Sequence, residues 1–99
     1  MPKVILQISY EIDPARREEY DRLSVEMKQH FRDNLKKNYT IYEQKGKKNS
    51  FVEQYECSSL EEYEALEDNM DEQSEELVNK LETLLKDGKA RYVTLLETE

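Results

Sequence analysis

The first strand-like segment places the strongest constraint on what this chain can fold into. In residues 3–12, KVILQISYEI, an apolar series alternates with a mixed one at a period of two residues. This alternation predicts a β-strand with one face against a core and the other face in a different environment. The apolar series consists of Val4, Leu6, Ile8, Tyr10 and Ile12, and the mixed series consists of Ile5, Gln7, Ser9 and Glu11.

A helix is predicted directly after this strand. Asp13 is a suitable N-cap, Pro14 suits the first helical position, and acidic residues occupy the opening turns. Apolar residues then recur at steps of three and four to about residue 37, which predicts an amphipathic helix. They are Tyr20, Leu23, Met27, Phe31 and Leu35.

The rest of the chain predicts a hairpin, a second helix and a last strand. The strand-like segments NYTIYEQ (38–44) and SFVEQYEC (50–57) flank the polar linker KGKKN. Ser59 and Glu62 form a predicted capping box for a helix that we expect to break near residues 69–71 and to stop at Gly88. The segment ARYVTLLET (90–98) is the last predicted strand.

These elements predict one ferredoxin-like α+β domain over residues 1–99. The order β-α-β-β-α-β is that of the split βαβ arrangement, with a four-stranded antiparallel sheet and both helices on one face. A chain of 99 residues is too short to build two hydrophobic cores.

The sheet face away from the helices is predicted to be semi-polar and rich in tyrosine. We expect Tyr42 to pair with Val52 in the hairpin, and we expect Val93 and Leu95 to face the helices. Such a surface suits contact with a second sheet or with a small ligand. The residues expected on this open face are Ile5, Gln7, Ser9, Thr40, Tyr42, Val52, Gln54, Tyr92, Thr94 and Leu96.

Five residues of the open face are predicted ligand contacts. Tyrosine rings can stack on a planar molecule and glutamine amides can donate hydrogen bonds to it. Alternatively, Tyr42, Tyr55 and Tyr92 line a dimer interface. A slip of one residue in the hairpin would bring Glu43 and Glu53 to the open face instead. The predicted contacts are Gln7, Ser9, Tyr42, Gln54 and Tyr92.

The element order, the DPARREEY start of the first helix and the passage FVEQYECSSLEEYEAL (51–66) together resemble the dimeric α+β barrel superfamily. This group includes the antibiotic-biosynthesis-type monooxygenases and many small proteins of unknown role. The resemblance implies a homodimer whose two sheets pack by their open faces. It also implies a ligand pocket inside the barrel or between the barrel and the helices.

The resemblance covers the order of the elements but not the residues of the monooxygenase site. Monooxygenase-like members often have a glutamate on strand three, an aromatic residue two positions later and a histidine in the next helix. With Ser59 as the start of that helix, these positions fall on Tyr55, Cys57 and Leu66. The resemblance therefore assigns no catalytic residue to this chain.

Charge and cysteine content limit the partners and the compartment. The formal net charge of −8 opposes binding to nucleic acid or to an anionic membrane. The sheet topology is shared with RNA-recognition modules, but Lys48, Asn49 and Gln54 replace the glycine and aromatic residues of their third-strand signature. No run of about 20 apolar residues is available to span a bilayer, and no signal peptide is recognisable. A single cysteine, Cys57, suits a cytoplasmic setting.

His30 and Cys57 are the remaining candidates for chemistry. His30 could act as a general base or haem ligand, but a surface or helix-end role is the preferred interpretation. Cys57 lacks a matching histidine and is expected to pack in strand three. Clusters with metal-ligand spacing are missing from the sequence, so we predict no metal and no cofactor.

Three functional hypotheses follow. The first is a cytoplasmic homodimer that binds a small, partly apolar molecule in a tyrosine-lined cavity. The second is a cofactor-independent monooxygenase or isomerase acting on an aromatic or polyketide-like substrate. The third is a structural or partner-binding dimer without a pocket. The sequence does not decide whether the chain is an enzyme.

Overall fold

The computed structural model describes residues 2–68 and 70–98. The first helix starts with a 3-10 turn at Pro14–Arg16 and ends in a π-helical segment at Lys28–Asn34. The other elements, in chain order, are β1 Val4–Ile12, α1 Arg17–Met27, β2 Tyr39–Glu43, β3 Ser50–Cys57, α2 Leu60–Asp68, α3 Glu72–Leu84 and β4 Leu85–Leu96.

Within the described residues the four strands form one sheet in the order β2-β3-β1-β4. The pairings of β1 with β3, of β1 with β4 and of β2 with β3 are all antiparallel. Tyr42 lies opposite Val52, as predicted, so the hairpin register is confirmed. The ferredoxin-like arrangement expected from the sequence is therefore present.

The core lies between the helices and one face of this sheet. Asp13 caps the first helix, and its carboxylate accepts a hydrogen bond from the backbone N–H of Ala15 at 3.0 Å. The apolar stripe of that helix then meets the apolar series of β1, which leaves the other sheet face uncovered by helices. Buried residues of this core include Tyr10, Ile12, Tyr20, Leu23, Met27, Phe31, Leu77, Leu81 and Leu84.

The predicted end of the second helical region is wrong. Helix α2 ends at Asp68 and α3 begins at Glu72 after the N-cap Asp71, while Asn69, part of the predicted break, lies outside the described residues. Helix α3 ends at Leu84, and the chain is already extended at Leu85. Leu84 and Leu85 are both buried, so packing of the two leucines decides the boundary before Gly88 is reached.

Gly88 lies inside β4, in a bulge rather than at a helix stop. Tyr10 pairs with Ala90 and Ile12 pairs with Leu85, so β4 contains extra residues between the two pairs. Gly88 has a φ of 71°, a conformation that a residue with a Cβ adopts only at a cost. The bulge at positions 86–89 sets the register of the rest of β4.

This register reverses the predicted faces of the last strand. Tyr92 lies opposite Ile8 and Thr94 lies opposite Leu6, and directly opposed residues share a face. Tyr92, Thr94 and Leu96 are therefore on the helix side, whereas Val93 and Leu95 are on the open face. Both alternating series of β4 contain large apolar residues, so periodicity alone could not assign its faces.

Replacing Gly88 by alanine is expected to lower the free energy of unfolding by about 1 kcal/mol because of the positive φ. An added Cβ would meet no atom within 4 Å, so the backbone conformation is the only source of the cost. Urea unfolding measures the change, with Lys89→Ala as the control in the same bulge. Equal stability of the two variants would show that Gly88 does not require this conformation.

Candidate functional site

A cavity of about 560 Å³ lies between the sheet and the helices. The sheet side is formed by residues of β1, β3 and β4, and the helix side by residues of all three helical regions. Its walls are mostly aliphatic and aromatic, which is typical of sites for small, partly apolar molecules. Residues that line it include Leu6, Ile8, Phe31, Glu53, Tyr55, Tyr63, Leu66, Val78, Leu81, Tyr92 and Thr94.

Glu53 places a carboxyl group in this apolar wall. Its position on β3 is opposite Ile8 and Ile41, on the helix side of the sheet, and only 3% of the residue is exposed. The hydroxyl of Tyr39 donates a hydrogen bond of 2.5 Å to Glu53 Oε1. Burial raises the pKa of Glu53, although hydrogen bonding with Tyr39 and Tyr10 acts in the opposite direction.

Several buried tyrosines lie in the core around Glu53. The hydroxyl groups of Tyr10 and Tyr20 lie 2.9 Å apart in a buried hydrogen bond. The rings of Tyr39 and Tyr55 pack with a centroid distance of 4.8 Å. Burial raises the pKa of Tyr10, Tyr20 and Tyr39, so these groups remain protonated near neutral pH. Glu53 is thus surrounded by neutral phenols.

The predicted ligand contacts are divided between two surfaces. Gln7, Ser9, Tyr42 and Gln54 lie on the open face, where the sequence placed them. Tyr92 lies on the opposite face and lines the cavity, although 63% of its surface is exposed because β4 is an edge strand. The five residues therefore do not form one site, and their role as ligand contacts stays a prediction.

The centre of the open face is an amide pair. Gln7 Nε2 donates a hydrogen bond of 3.1 Å to Gln54 Oε1, and Gln7 is paired with Val93 on its other side. Charged pairs occupy the two ends of this face, Lys3 with Glu56 and Lys86 with Glu11. The apolar residues between these ends are Ile5, Tyr42, Val52, Val93 and Leu95.

Of the two roles preferred for His30, the surface role is wrong, whereas its place in the last segment of the first helix fits the helix-end role. The residue is 4% exposed and lies in the π-helical segment. Its Nε2 lies 3.1 Å from Asp71 Oδ1 and 3.0 Å from Ser74 Oγ, which joins the first helix to the start of α3. Hydrogen bonds from the Ser74 side chain and backbone, and from His30, lower the pKa of Asp71 to about 2. Because Nε2 alone makes both contacts, the three residues do not form a catalytic relay.

Cys57 occupies a packing position. It lies opposite Val4 on the helix side of the sheet and is buried. Burial raises the pKa of its thiol, which disfavours the thiolate form that a nucleophile requires. In residues 2–68 and 70–98, no group of three or more His, Cys, Asp or Glu side chains is placed to hold a metal ion. No helix in the same ranges is long and apolar enough to cross a bilayer.

Glu53 is the functional candidate that sequence reasoning missed. A register that places Val52 and Gln54 on the open face must place Glu53 among the core residues. The signal was a single acid within the inward series Phe51, Glu53, Tyr55 and Cys57. An acid at such a position requires a reason, because ionised carboxyls are rarely buried without a partner.

Structural comparison places this architecture among small α+β proteins. A conserved protein from Methanosarcina mazei has a TM-score of 0.79 at 12% identity, covering 99% of this chain and 95% of that chain. A NIPSNAP family protein from Agrobacterium tumefaciens has a TM-score of 0.76 at 15% identity, covering 98% and 94%. An antibiotic biosynthesis monooxygenase has a TM-score of 0.70 at 18% identity, covering 100% and 98%.

At these identities the comparisons establish the fold. The chain shares a ferredoxin-like α+β fold with these three proteins, and the fold predicted from the sequence is confirmed at that level. No protein-family model matches the sequence, and no curated protein does. Function must therefore be argued from the residues of the site.

Replacing Tyr39 by phenylalanine is expected to lower the free energy of unfolding by about 1–3 kcal/mol, because Glu53 loses a buried hydrogen-bond donor. Tyr42→Phe removes the same hydroxyl from a residue that is 50% exposed and should change stability by less than about 0.5 kcal/mol. Chemical denaturation of both variants provides the comparison. Equal effects would contradict a special role for the Tyr39–Glu53 contact.

Glu53→Gln is expected to make stability less dependent on pH. A carboxyl group whose pKa is raised by folding makes its full contribution to stability at pH values below its pKa in the unfolded chain, which is 4.5 here. It loses that contribution as the pH rises through its pKa in the folded protein. The variant should therefore be more stable than the parent at pH 8, with a smaller difference near pH 4. Thermal unfolding of both proteins between pH 4 and pH 8 measures the difference in stability. A parent protein that gains stability relative to the variant as the pH rises would contradict the raised pKa.

Proposed function

We propose that this protein is a homodimer that binds a small, partly apolar molecule in the cavity between its sheet and its helices. The observation that carries the proposal is a mostly apolar cavity of about 560 Å³ with one buried carboxyl group in its wall. Apolar walls supply binding energy, and a small number of polar groups orient the ligand. Tyr55, Tyr63 and Tyr92 line this cavity, whereas Tyr42, which the sequence also placed at the ligand, lies on the open face.

The open face is the proposed dimer interface. Large apolar side chains surround the pair of Gln7 and Gln54 on this face, and two ion pairs lie at its ends, an arrangement that suits a protein interface. Arg91, opposite Ser9, adds a further charged residue to the face. The pair of Gln7 and Gln54 keeps the acceptor Gln7 Oε1 and the donor Gln54 Nε2 for groups of another molecule. A second copy related by a two-fold axis offers the same two groups in return.

Dimerisation also bears on the cavity. Tyr92 is exposed at the edge of the sheet and belongs to the cavity wall, while its neighbours Val93 and Leu95 are on the open face. A partner packed on the open face would shield Val93 and Leu95 from water and would hold in place the edge strand that brings Tyr92 to the cavity wall. In this arrangement Gln7, Ser9, Tyr42 and Gln54 contribute to assembly, and Tyr92 contributes to ligand binding.

A cytoplasmic location is included in this proposal. The single cysteine, Cys57, is buried, so the fold does not depend on an internal disulfide and suits a reducing compartment.

A cofactor-independent enzyme is the second candidate. Glu53 favours it, because a carboxyl with a raised pKa in an apolar cavity can accept a proton from a phenol or an enol and return it. Its substrate would be an aromatic or polyketide-like molecule. Oxygen uptake with 1,4-dihydroxynaphthalene as the probe tests this role. A rate above the protein-free control that is lost in Glu53→Gln would support it, and equal rates for both proteins would reject it for this substrate type.

Native mass spectrometry of freshly purified protein tests the proposal as a whole. A mass of twice the chain is the expected result, and additional non-covalent mass on the dimer would report a retained ligand. A monomer at every concentration up to 100 µM or so would remove the proposed assembly, since obligate dimer interfaces of this type bind more tightly.

The substitution Val52→Glu is expected to weaken the dimer by about a hundredfold or more, because it buries an unpaired charge at the proposed interface. Val25→Glu is the matched control, since Val25 is 62% exposed on α1 and lies away from the sheet. Sedimentation equilibrium of both variants gives the dissociation constants. A dimer that is weakened by Val25→Glu and not by Val52→Glu would assign the interface to the helical side.

A further inference from the structure

Glu53 lacks a positive partner inside the described part of the chain. Among these residues, none of the ion pairs within 4.0 Å involves Glu53. The groups that influence its pKa there are tyrosines and not cations. Lys37 also lines the cavity, but its charge lowers the pKa of Glu62 and of Cys57 instead. A buried carboxylate without a cation is unfavourable, so a ligand that brings one gains the most from this site.

We propose that the ligand of this cavity carries a protonated amine or amidine group, which pairs with Glu53 while the apolar part of the molecule fills the space between the sheet and the helices. The inference rests on the proposed binding function and names the chemical class of the ligand. A carboxylate or phosphate ligand is disfavoured beside Glu53, because Lys37, a cation of the lining, acts on Glu62 and Cys57 and does not offset the charge of Glu53.

The walls beside Glu53 suit a cation as well. Phe31, Tyr55 and Tyr92 present aromatic rings to the cavity, and aromatic faces attract ammonium and guanidinium groups. Glu82 adds a second carboxylate to the lining, on the exposed side of α3. The formal net charge of −8 attracts cations towards the protein and repels anions.

Tryptamine, tryptophol and indole-3-propionic acid are suitable probes, because they share an indole ring and differ in the charge of the side chain. Titration of the isotopically labelled protein, followed by amide chemical shifts, gives the affinity and the location of each probe. Tryptamine is expected to shift residues around the cavity and to bind about tenfold or more tightly than tryptophol, the difference expected for a charged hydrogen bond. Indole-3-propionic acid should bind weakest.

Glu53→Gln separates the ion pair from the shape of the cavity. The amide can still accept the hydrogen bond of Tyr39, but it carries no charge. Tryptamine affinity should fall about tenfold or more in this variant, whereas tryptophol affinity should stay within about threefold. Glu18→Gln is the matched control, because it removes one negative charge from the exposed surface of α1 and should change neither affinity.

The outcomes distinguish the inference from the function on which it rests. Equal or tighter binding of tryptophol in the parent protein would overturn the amine assignment while leaving a ligand-binding cavity, and this comparison stands even if Glu53→Gln does not fold. Unchanged tryptamine affinity in Glu53→Gln would overturn it as well. Failure of all three probes to shift cavity residues would count against the proposed binding function itself.

Discussion

The hydrogen bond from Tyr39 to Glu53 holds a carboxyl group among the mostly apolar and phenolic side chains of the core. The contact joins neighbouring strands, since Tyr39 lies on β2 and Glu53 on β3. Without this donor the acid would be a buried polar group in contact with rings and aliphatic side chains, which is costly. The cavity has a buried carboxyl group in its wall because this contact makes the acid tolerable there.

The last strand decides how the two faces of the sheet are used. The bulge around Gly88 sets its register, and that register directs Tyr92 and Thr94 into the cavity while Val93 and Leu95 join the open face. The open face is consequently more apolar than its β1 residues alone would make it. The same register gives the cavity a hydrogen bond between Tyr63 and Thr94, whose oxygens lie 3.0 Å apart, at the boundary between α2 and the sheet.

Sequence patterns predicted those parts of the fold that depend on local signals. The β1 alternation, the Asp13 cap and the hairpin register all follow from residue type and spacing, and the structure has them. The faces of β4 could not be predicted in this way, because both of its alternating series contain large apolar residues and a bulge fixes the register. The burial of His30 could not be predicted from local patterns either, because its partners Asp71 and Ser74 are distant in sequence.

The sequence predicted ligand contacts on the open face of the sheet, whereas the cavity lies between the sheet and the helices. Of the tyrosines considered there, Tyr42 lies on the open face, and Tyr55 and Tyr92 line the cavity. Glu53 became visible as a candidate only when the register showed its inward position and the cavity showed what it faces. Resemblance to monooxygenases could not supply the residue, because alignment on Ser59 places their glutamate at Tyr55, two positions away on the same face of β3.

The pKa of Glu53, measured by carbon-13 NMR of its side-chain carboxyl group, tests the central claim most directly. Selective assignment by comparison with Glu53→Gln isolates its signal from those of the surface acids. The buried position predicts a midpoint clearly above the ordinary value of 4.5 for the protein without ligand. A midpoint at or below 4.5 would mean that Glu53 is solvated or already paired with a cation, and the proposed ligand site would lose its basis.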